Sequence, residues 1–286
     1  MKVQPKLRQW ITNMSRAGHD IPVMLNMMEQ AGYGRRHSRR ILAEVLNRPA
    51  IALDINVDKP AHAQPARKPG EGLRTRPPEA PHVDIGGRRI RVGASLRVPV
   101  LRVLHNVLDP EECDALIELA RPRLNRALTV DTSGEQQIDD ARTSSGMFFR
   151  IGETALIQTI EQRIADLVDL PVEHGEALQV LNYQPDQHYA PHQDWFEPGQ
   201  PSYDKVTRVG GQRIASVIMY LNTPEAGGGT YFPHVGLTVA AQRGSAVYFA
   251  YETGDHPALH AGLPVERGEK WIATRWLRER PYHEDT

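Results

Sequence analysis

Between residues 177 and 277 the chain is a succession of short apolar runs, and that rhythm restricts the fold more than any other feature. Residues 177–183, 189–196, 213–221, 230–232, 237–240, 245–250 and 270–277 each have strand length, with Gly210-Gly211, Gly227-Gly228-Gly229 and Gly254-Asp255 as turns between them. Many short strands at such spacing predict a sandwich or jelly roll. Upstream, Asp84 to Val92 predicts a hairpin turning at Gly86-Gly87, since glycine supplies the positive φ of a tight turn. Residues 98–107 read as a strand. Asp109-Pro110-Glu111-Glu112 starts a helix with Cys113, Leu116, Ile117 and Ala120 on one face, and a second helix, about 153 to 168, carries Ile157, Ile160, Ile164 and Leu167. The expected class is mainly β with flanking helices.

The front of the chain is different. Residues 6–48 read as three short helices: Asp20 is an N-cap with Pro22 in the first turn, Met24, Met27 and Met28 repeat at helical spacing, and Gly32 and Gly34 precede a segment with Ile41, Leu42, Val45 and Leu46. From 56 to 81, Pro60, Pro65, Pro69, Pro77, Pro78 and Pro81 alternate with Lys59, Arg67, Lys68, Arg74 and Arg76, a composition that cannot form a core. The expected organisation is a small helical unit at 1–55, a linker at 56–83 and a large domain at 84–286.

The formal net charge of -1 conceals an asymmetry. Lys and Arg outnumber acids about two to one through residue 91, and acids dominate afterwards. An acidic partner for the front unit is one reading; a solvated positive surface is the other. The first residues lack the apolar core of a signal peptide, and no run approaches the ~18 apolar residues of a membrane span. A cytoplasmic protein without membrane association is expected. The single cysteine, Cys113, excludes an internal disulfide, and its place on an apolar helix face suggests packing.

The chemistry concentrates at Tyr189-Ala190-Pro191-His192-Gln193-Asp194. Residues i and i+2 on a strand share a face, so His192 and Asp194 would converge on one point. His-x-Asp also occurs at His82-Val83-Asp84 and His283-Glu284-Asp285, but only the middle copy lies among sheet-forming runs and has a third candidate ligand, His260. Two imidazoles and one carboxylate make the face that suits Fe(II) and leaves positions open for substrate and oxygen.

With Arg142-Thr-Ser-Ser145, Leu178 to Tyr183, Tyr189 to Asp194, Arg213 to Asn222, Gly227 to Pro233 and His260 to Trp276 in this order, the chain from about 98 to 280 resembles the prolyl 4-hydroxylase branch of the iron(II)- and 2-oxoglutarate-dependent dioxygenases. The resemblance implies a double-stranded β-helix, or jelly-roll, core. It implies Fe(II) on His192, Asp194 and His260, the distal carboxylate of 2-oxoglutarate on Lys270 with Tyr183 and Thr230 completing its contacts, O2 as cosubstrate and ascorbate as reductant. Arg142, Tyr189 and Arg213 match positions facing the substrate, and Trp271 and Trp276 positions packed beside the cosubstrate. The implied reaction hydroxylates proline in a peptide or protein and releases succinate and CO2. Apart from the resemblance, the loop at 197–206 directly follows the metal-binding stretch and reads as a lid. Alternatives are an oxygenase acting on a nucleobase or small molecule, and a metal-binding interaction protein without turnover. Against nucleic acid, the domain is acidic, and a lysine ten residues after the last histidine matches the prolyl hydroxylases rather than the dealkylating oxygenases.

Overall fold

The structure, a computed structural model, describes residues 3–17, 19–46, 80–127, 129–130, 136–137, 141–251 and 258–283. Most of the expected linker, the Gly254-Asp255 turn, most of the loop at 131–141 and Asp285 of the last His-x-Asp lie outside these residues.

Three helices open the chain: α1 (Pro5–Arg16), α2 (Ile21–Gln30) and α3 (Arg35–Leu46). Proline stands in the first turn of α1 and of α2, where no intrahelical N–H is needed. Ile11, Met24, Leu25, Met28, Ile41 and Leu42 form their shared core. Met27, expected on the apolar face, is 41% exposed instead. Met24 and Met28 are one turn apart and point inward together, and Leu25 fills the position next to them.

In the large domain, β1 (His82–Ile85) and β2 (Arg88–Leu96) form the expected hairpin, starting slightly ahead of residue 84. Ile85 pairs with Arg88, and Gly86 and Gly87 have φ of 55° and 80°, as the two-residue turn demands. β3 (Leu101–His105) is shorter than expected; Pro99, with no N–H to give to a ladder, lies in the turn before it. In α4 (Pro110–Ala120) the Glu112 carboxylate accepts the Asp109 N–H at 2.8 Å. After β4 (Asn125–Arg126), β5 (Thr129–Val130), β6 (Gln136–Gln137) and β7 (Ser145–Phe148) comes α5 (Ala155–Val168), capped by Thr154 Oγ1 accepting the Ile157 N–H at 3.2 Å. Then follow β8 (Gln179–Tyr183), β9 (Tyr189–His192), the short α6 (Tyr203–Thr207), β10 (Arg213–Tyr220), β11 (Ala226–Gly227), β12 (Thr230–Phe232), β13 (Leu237–Val239), β14 (Ala246–Ala250), β15 (His260–Gly262), β16 (Val265–Arg267) and β17 (Lys270–Arg278).

A nine-stranded antiparallel sheet runs β1-β2-β3-β14-β10-β17-β8-β7-β4, and a four-stranded one runs β13-β12-β15-β9. One face of the larger sheet, with Val180, Val217, Met219 and Ala273, packs on Leu116 of α4 and Ile157, Ile160 and Ile164 of α5. Its other face, with Leu181, Ile218, Val247, Phe249 and Ile272, meets Phe232 and Val239 of the smaller sheet. Each fully buried aliphatic or phenyl side chain contributes roughly 1.5–3 kcal/mol. The result is the double-stranded β-helix with flanking helices, and the space between its sheets widens into the cavity described next.

Candidate metal centre

His192 ends β9, His260 begins β15, and the two are direct partners in the ladder. Their ring centroids are 4.2 Å apart. His192 Nδ1 lies 2.8 Å from the Ala190 carbonyl and His260 Nδ1 lies 3.0 Å from the Ala258 carbonyl. A carbonyl can only accept, so each Nδ1 carries the proton and donates, leaving the Nε2 lone pair free for a metal. Asp194 Oδ1 lies 3.6 Å from His192 Nε2, and Oδ2 lies 3.8 Å from His260 Nε2. The candidate ligand atoms all fall within 4.8 Å of one another, and no other such triad converges among the described residues. His82 and Asp84 lie 3.3 Å apart on β1, where Asp84 also accepts from Arg89 Nε at 2.9 Å.

The strand geometry expected to join His192 and Asp194 is not what joins them. β9 stops at His192, and Asp194 sits in the bend that follows. Its carboxylate is aimed by two hydroxyls, one in β10 of the opposite sheet and one just past the end of β14: Ser216 Oγ donates to Oδ2 at 2.7 Å, and Tyr251 OH donates to the same oxygen at 3.1 Å. Burial works to raise the Asp194 pKa, but His260, His192 and Arg213 hold it well below the usual carboxylate range. The His192 imidazole is pushed down to about 3 by burial and then by His260. An ionised carboxylate beside a neutral imidazole is the ligating state of both.

The cluster opens on a cavity of about 1030 Å³ whose wall includes Tyr183, Thr230 and Lys270. Lys270 opens β17 as the register partner of Tyr183, with Nζ 5.1 Å from that ring's centroid, and only 2% of the residue is exposed. Burial alone lowers its pKa to about 7; among the described residues no acid offsets it. Thr230 Oγ1 accepts the Tyr220 hydroxyl at 2.8 Å. Two imidazoles and a carboxylate at the side of an open cavity fit Fe(II), and a buried lysine with no counter-ion among the described residues fits an anion.

Arg142, Tyr189 and Arg213 also line the cavity, and each is already engaged. The Tyr189 ring stacks on His192 at 3.5 Å between centroids, and the Arg142 guanidinium lies 4.9 Å over Tyr189 while donating to Gln179 Oε1 at 3.0 Å. Arg213 donates to both oxygens of Glu176, at 2.6 and 2.8 Å, lies 4.1 Å over Trp276, and reaches the Asp194 carbonyl at 3.4 Å. Trp276 walls the cavity, but Trp271 does not: an odd spacing on one strand sends the two to opposite faces, and Trp271 packs in the core shared with α4 and α5. The segment after Asp194, expected as a lid, supplies Glu197, Gln200, Ser202, Tyr203 and Val206 to the wall. Arg278 ties it down, donating to Val206 O at 2.8 Å and Gly211 O at 2.6 Å. Ser216, Tyr251 and Glu176 were not singled out from the sequence. Ser216 alone left a trace there, as a polar residue on the inward phase of an apolar strand.

The family model of the 2OG-Fe(II) oxygenase superfamily matches residues 178–278. The chain is 40% identical over 204 residues to the Arabidopsis thaliana "Probable prolyl 4-hydroxylase 3", covering 63% of this chain and 69% of that protein. It is also 40% identical over 203 residues to "Prolyl 4-hydroxylase 1" of the same plant, covering 64% and 70%. Among solved structures, the viral collagen prolyl hydroxylase of Paramecium Bursaria Chlorella virus-1 in its 2OG complex is similar at 27% identity and a TM-score of 0.49, covering 62% of this chain and 95% of that one.

Proposed function

Because this chain belongs to the prolyl 4-hydroxylase branch of the 2OG-Fe(II) oxygenases, we propose that it hydroxylates proline in a peptide or protein, consuming 2-oxoglutarate and O2 and releasing succinate and CO2. The observation that carries this reading is the presence in one cavity of the His192–Asp194–His260 cluster and the buried Lys270, which has no counter-ion among the described residues. Iron held by the three ligands supplies the activation of O2 and the oxidation of a C–H bond.

The chain's own residues bind and orient. Lys270 offers its ammonium to the distal carboxylate of the cosubstrate, and the Tyr183 and Thr230 hydroxyls add neutral contacts. Arg142, Tyr189 and Arg213 face the substrate, and through its bonds to Glu176 and the Asp194 carbonyl Arg213 also steadies the ligand-bearing bend. A cavity of about 1030 Å³ exceeds what a five-carbon diacid fills, which supports a chain segment as the second occupant.

Three finer points belong to the same proposal. Ascorbate is the reductant. The compartment is the cytoplasm, in keeping with a single cysteine that is buried as a thiol. The basic helical unit recruits an acidic partner, raising its local concentration at the cavity. Among the described residues no helix is long and apolar enough to cross a membrane.

The test is incubation with Fe(II), ascorbate, 2-oxoglutarate and proline-containing peptides, followed by mass spectrometry and succinate assay. A gain of one oxygen on proline with matching succinate is expected. Oxygen found only on a nucleobase or another side chain would overturn the substrate class. A truncation lacking residues 1–79 that hydroxylates the protein substrate as efficiently as the full chain would remove the recruiting role.

A further inference from the structure

We infer that Ser216 and Tyr251 form a hydroxyl brace that commits Asp194 to ligating with one oxygen. The inference rests on the metal reading above and concerns how the third ligand is held. His192 and His260 are fixed by the pairing of β9 with β15, whereas Asp194 lies past the end of its strand. The direction of its carboxylate therefore depends on side-chain contacts.

Those contacts converge on one atom. Ser216 Oγ is 2.7 Å and Tyr251 OH 3.1 Å from Oδ2, and the two hydroxyl oxygens are 2.5 Å from each other. Two hydroxyl protons serve three contacts. With Ser216 donating to Oδ2, the Tyr251 proton goes to Oδ2 or to Ser216 Oγ, and in either arrangement Oδ2 is held within the hydroxyl cluster. Oδ1 has no such donor among the described residues. An oxygen already accepting hydrogen bonds is the poorer ligand, so the carboxylate presents Oδ1. Ligation through both oxygens would fill a position on the ion that cosubstrate or O2 needs, and the brace keeps that position open.

The brace is itself anchored. Ser216 is fully buried on β10, and Tyr251 follows β14 with its N–H donating to Ile214 O at 2.9 Å. Ser216 lies within the large sheet and Tyr251 directly follows one of its strands, so the pair fastens the bend after β9 to the layer opposite. They are positioning residues, acting through Asp194.

The test uses Co(II) alone, titrated into the full-length metal-free protein and followed by calorimetry and the visible Co(II) bands. Tyr251→Phe and Ser216→Ala each remove a hydroxyl with little change of shape. Each should weaken Co(II) binding about tenfold, at the lower end of the 10–100-fold typical for partners of a metal ligand. The band intensities should also change, because the released carboxylate alters the coordination. A merely structural role would leave those bands as they are. Wild-type affinity within twofold and unchanged bands in Tyr251→Phe and in the double variant would overturn the brace. His192→Ala separates the two levels: if it binds Co(II) as well as wild type, the metal reading falls and the brace with it. If it abolishes binding while the brace variants bind normally, only the brace falls.

Discussion

His192 and His260 stand directly opposite each other in the β9–β15 ladder, so two candidate ligands from distant parts of the chain are brought together by main-chain hydrogen bonds. A site built this way has its spacing set before any metal arrives. Little should be gained in fold stability from the ligands themselves.

Replacing His192, Asp194 or His260 by alanine should therefore abolish iron-dependent succinate formation and Co(II) uptake without changing the circular dichroism spectrum. An open face of three ligands does not tolerate the loss of one. Near-wild-type turnover in any of the three variants would remove that residue from the metal.

Lys270 carries a penalty in the unliganded protein. Its folded pKa of about 7 lies below the ordinary 10.5, so the unfolded chain binds more protons between those values. The penalty is full below pH 7 and fades as pH rises toward 10.5, so this group makes the empty protein more stable with rising pH across that window. Lys270→Met should remove that slope and stabilise the empty protein at pH 7 by about 1–4 kcal/mol, as apolar replacements of buried charges can. Thermal melts from pH 6 to 10 check it; the same slope in the variant would show that another group titrates.

The same lysine predicts how 2-oxoglutarate binds. An arriving carboxylate favours the ammonium form, so binding takes up protons above pH 7, and affinity should fall as pH rises, by up to about tenfold per unit. Calorimetry in two buffers of different ionisation enthalpy reads the uptake directly. Lys270→Ala should raise the 2-oxoglutarate requirement far more than the iron requirement. Arg275 is no substitute, because it faces away, buried with its Nη2 3.9 Å from Glu161.

Glu176→Gln should destabilise the domain by about 3–5 kcal/mol, the range for leaving a buried charge without its partner. Glu176 accepts two bonds from Arg213 and lies 3.0 Å from Arg278 Nε. A denaturant midpoint unchanged from wild type would mean that the two arginines find other acceptors. Because Arg213 reaches the Asp194 carbonyl, Co(II) affinity should fall as well.

The long strands were legible because β8, β10, β14 and β17 put apolar residues on both faces, toward the helices and toward the other sheet, and so stand in the sequence as continuous apolar runs. β15 and β16 were not, being three residues each, with histidine, glycine and charge where a strand signal would stand. The clustering of His192, Asp194 and His260 was legible from His-x-Asp in a strand context together with the family resemblance, although the geometry behind it was misread. Nothing local says that β9 ends at His192, since the residues that aim Asp194 come from β10 and from beyond β14. Trp271 is a different case. Its odd spacing from Trp276 already placed the two on opposite faces, so that information was present in the sequence.

The division of labour between the two sheets has an evolutionary consequence. The histidines ride on the four-stranded layer, whereas Lys270 stands at the head of β17 in the nine-stranded one. A descendant could exchange Lys270 for a different group, and so accept a different acid, while inheriting the imidazole pair untouched. Conversely, drift at the ends of β9 or β15 would break the imidazole pair and leave the buried lysine of the other layer in place. Asp194 is the exception, covalently part of one layer and fastened to the other, so it is the position at which the two histories cannot diverge.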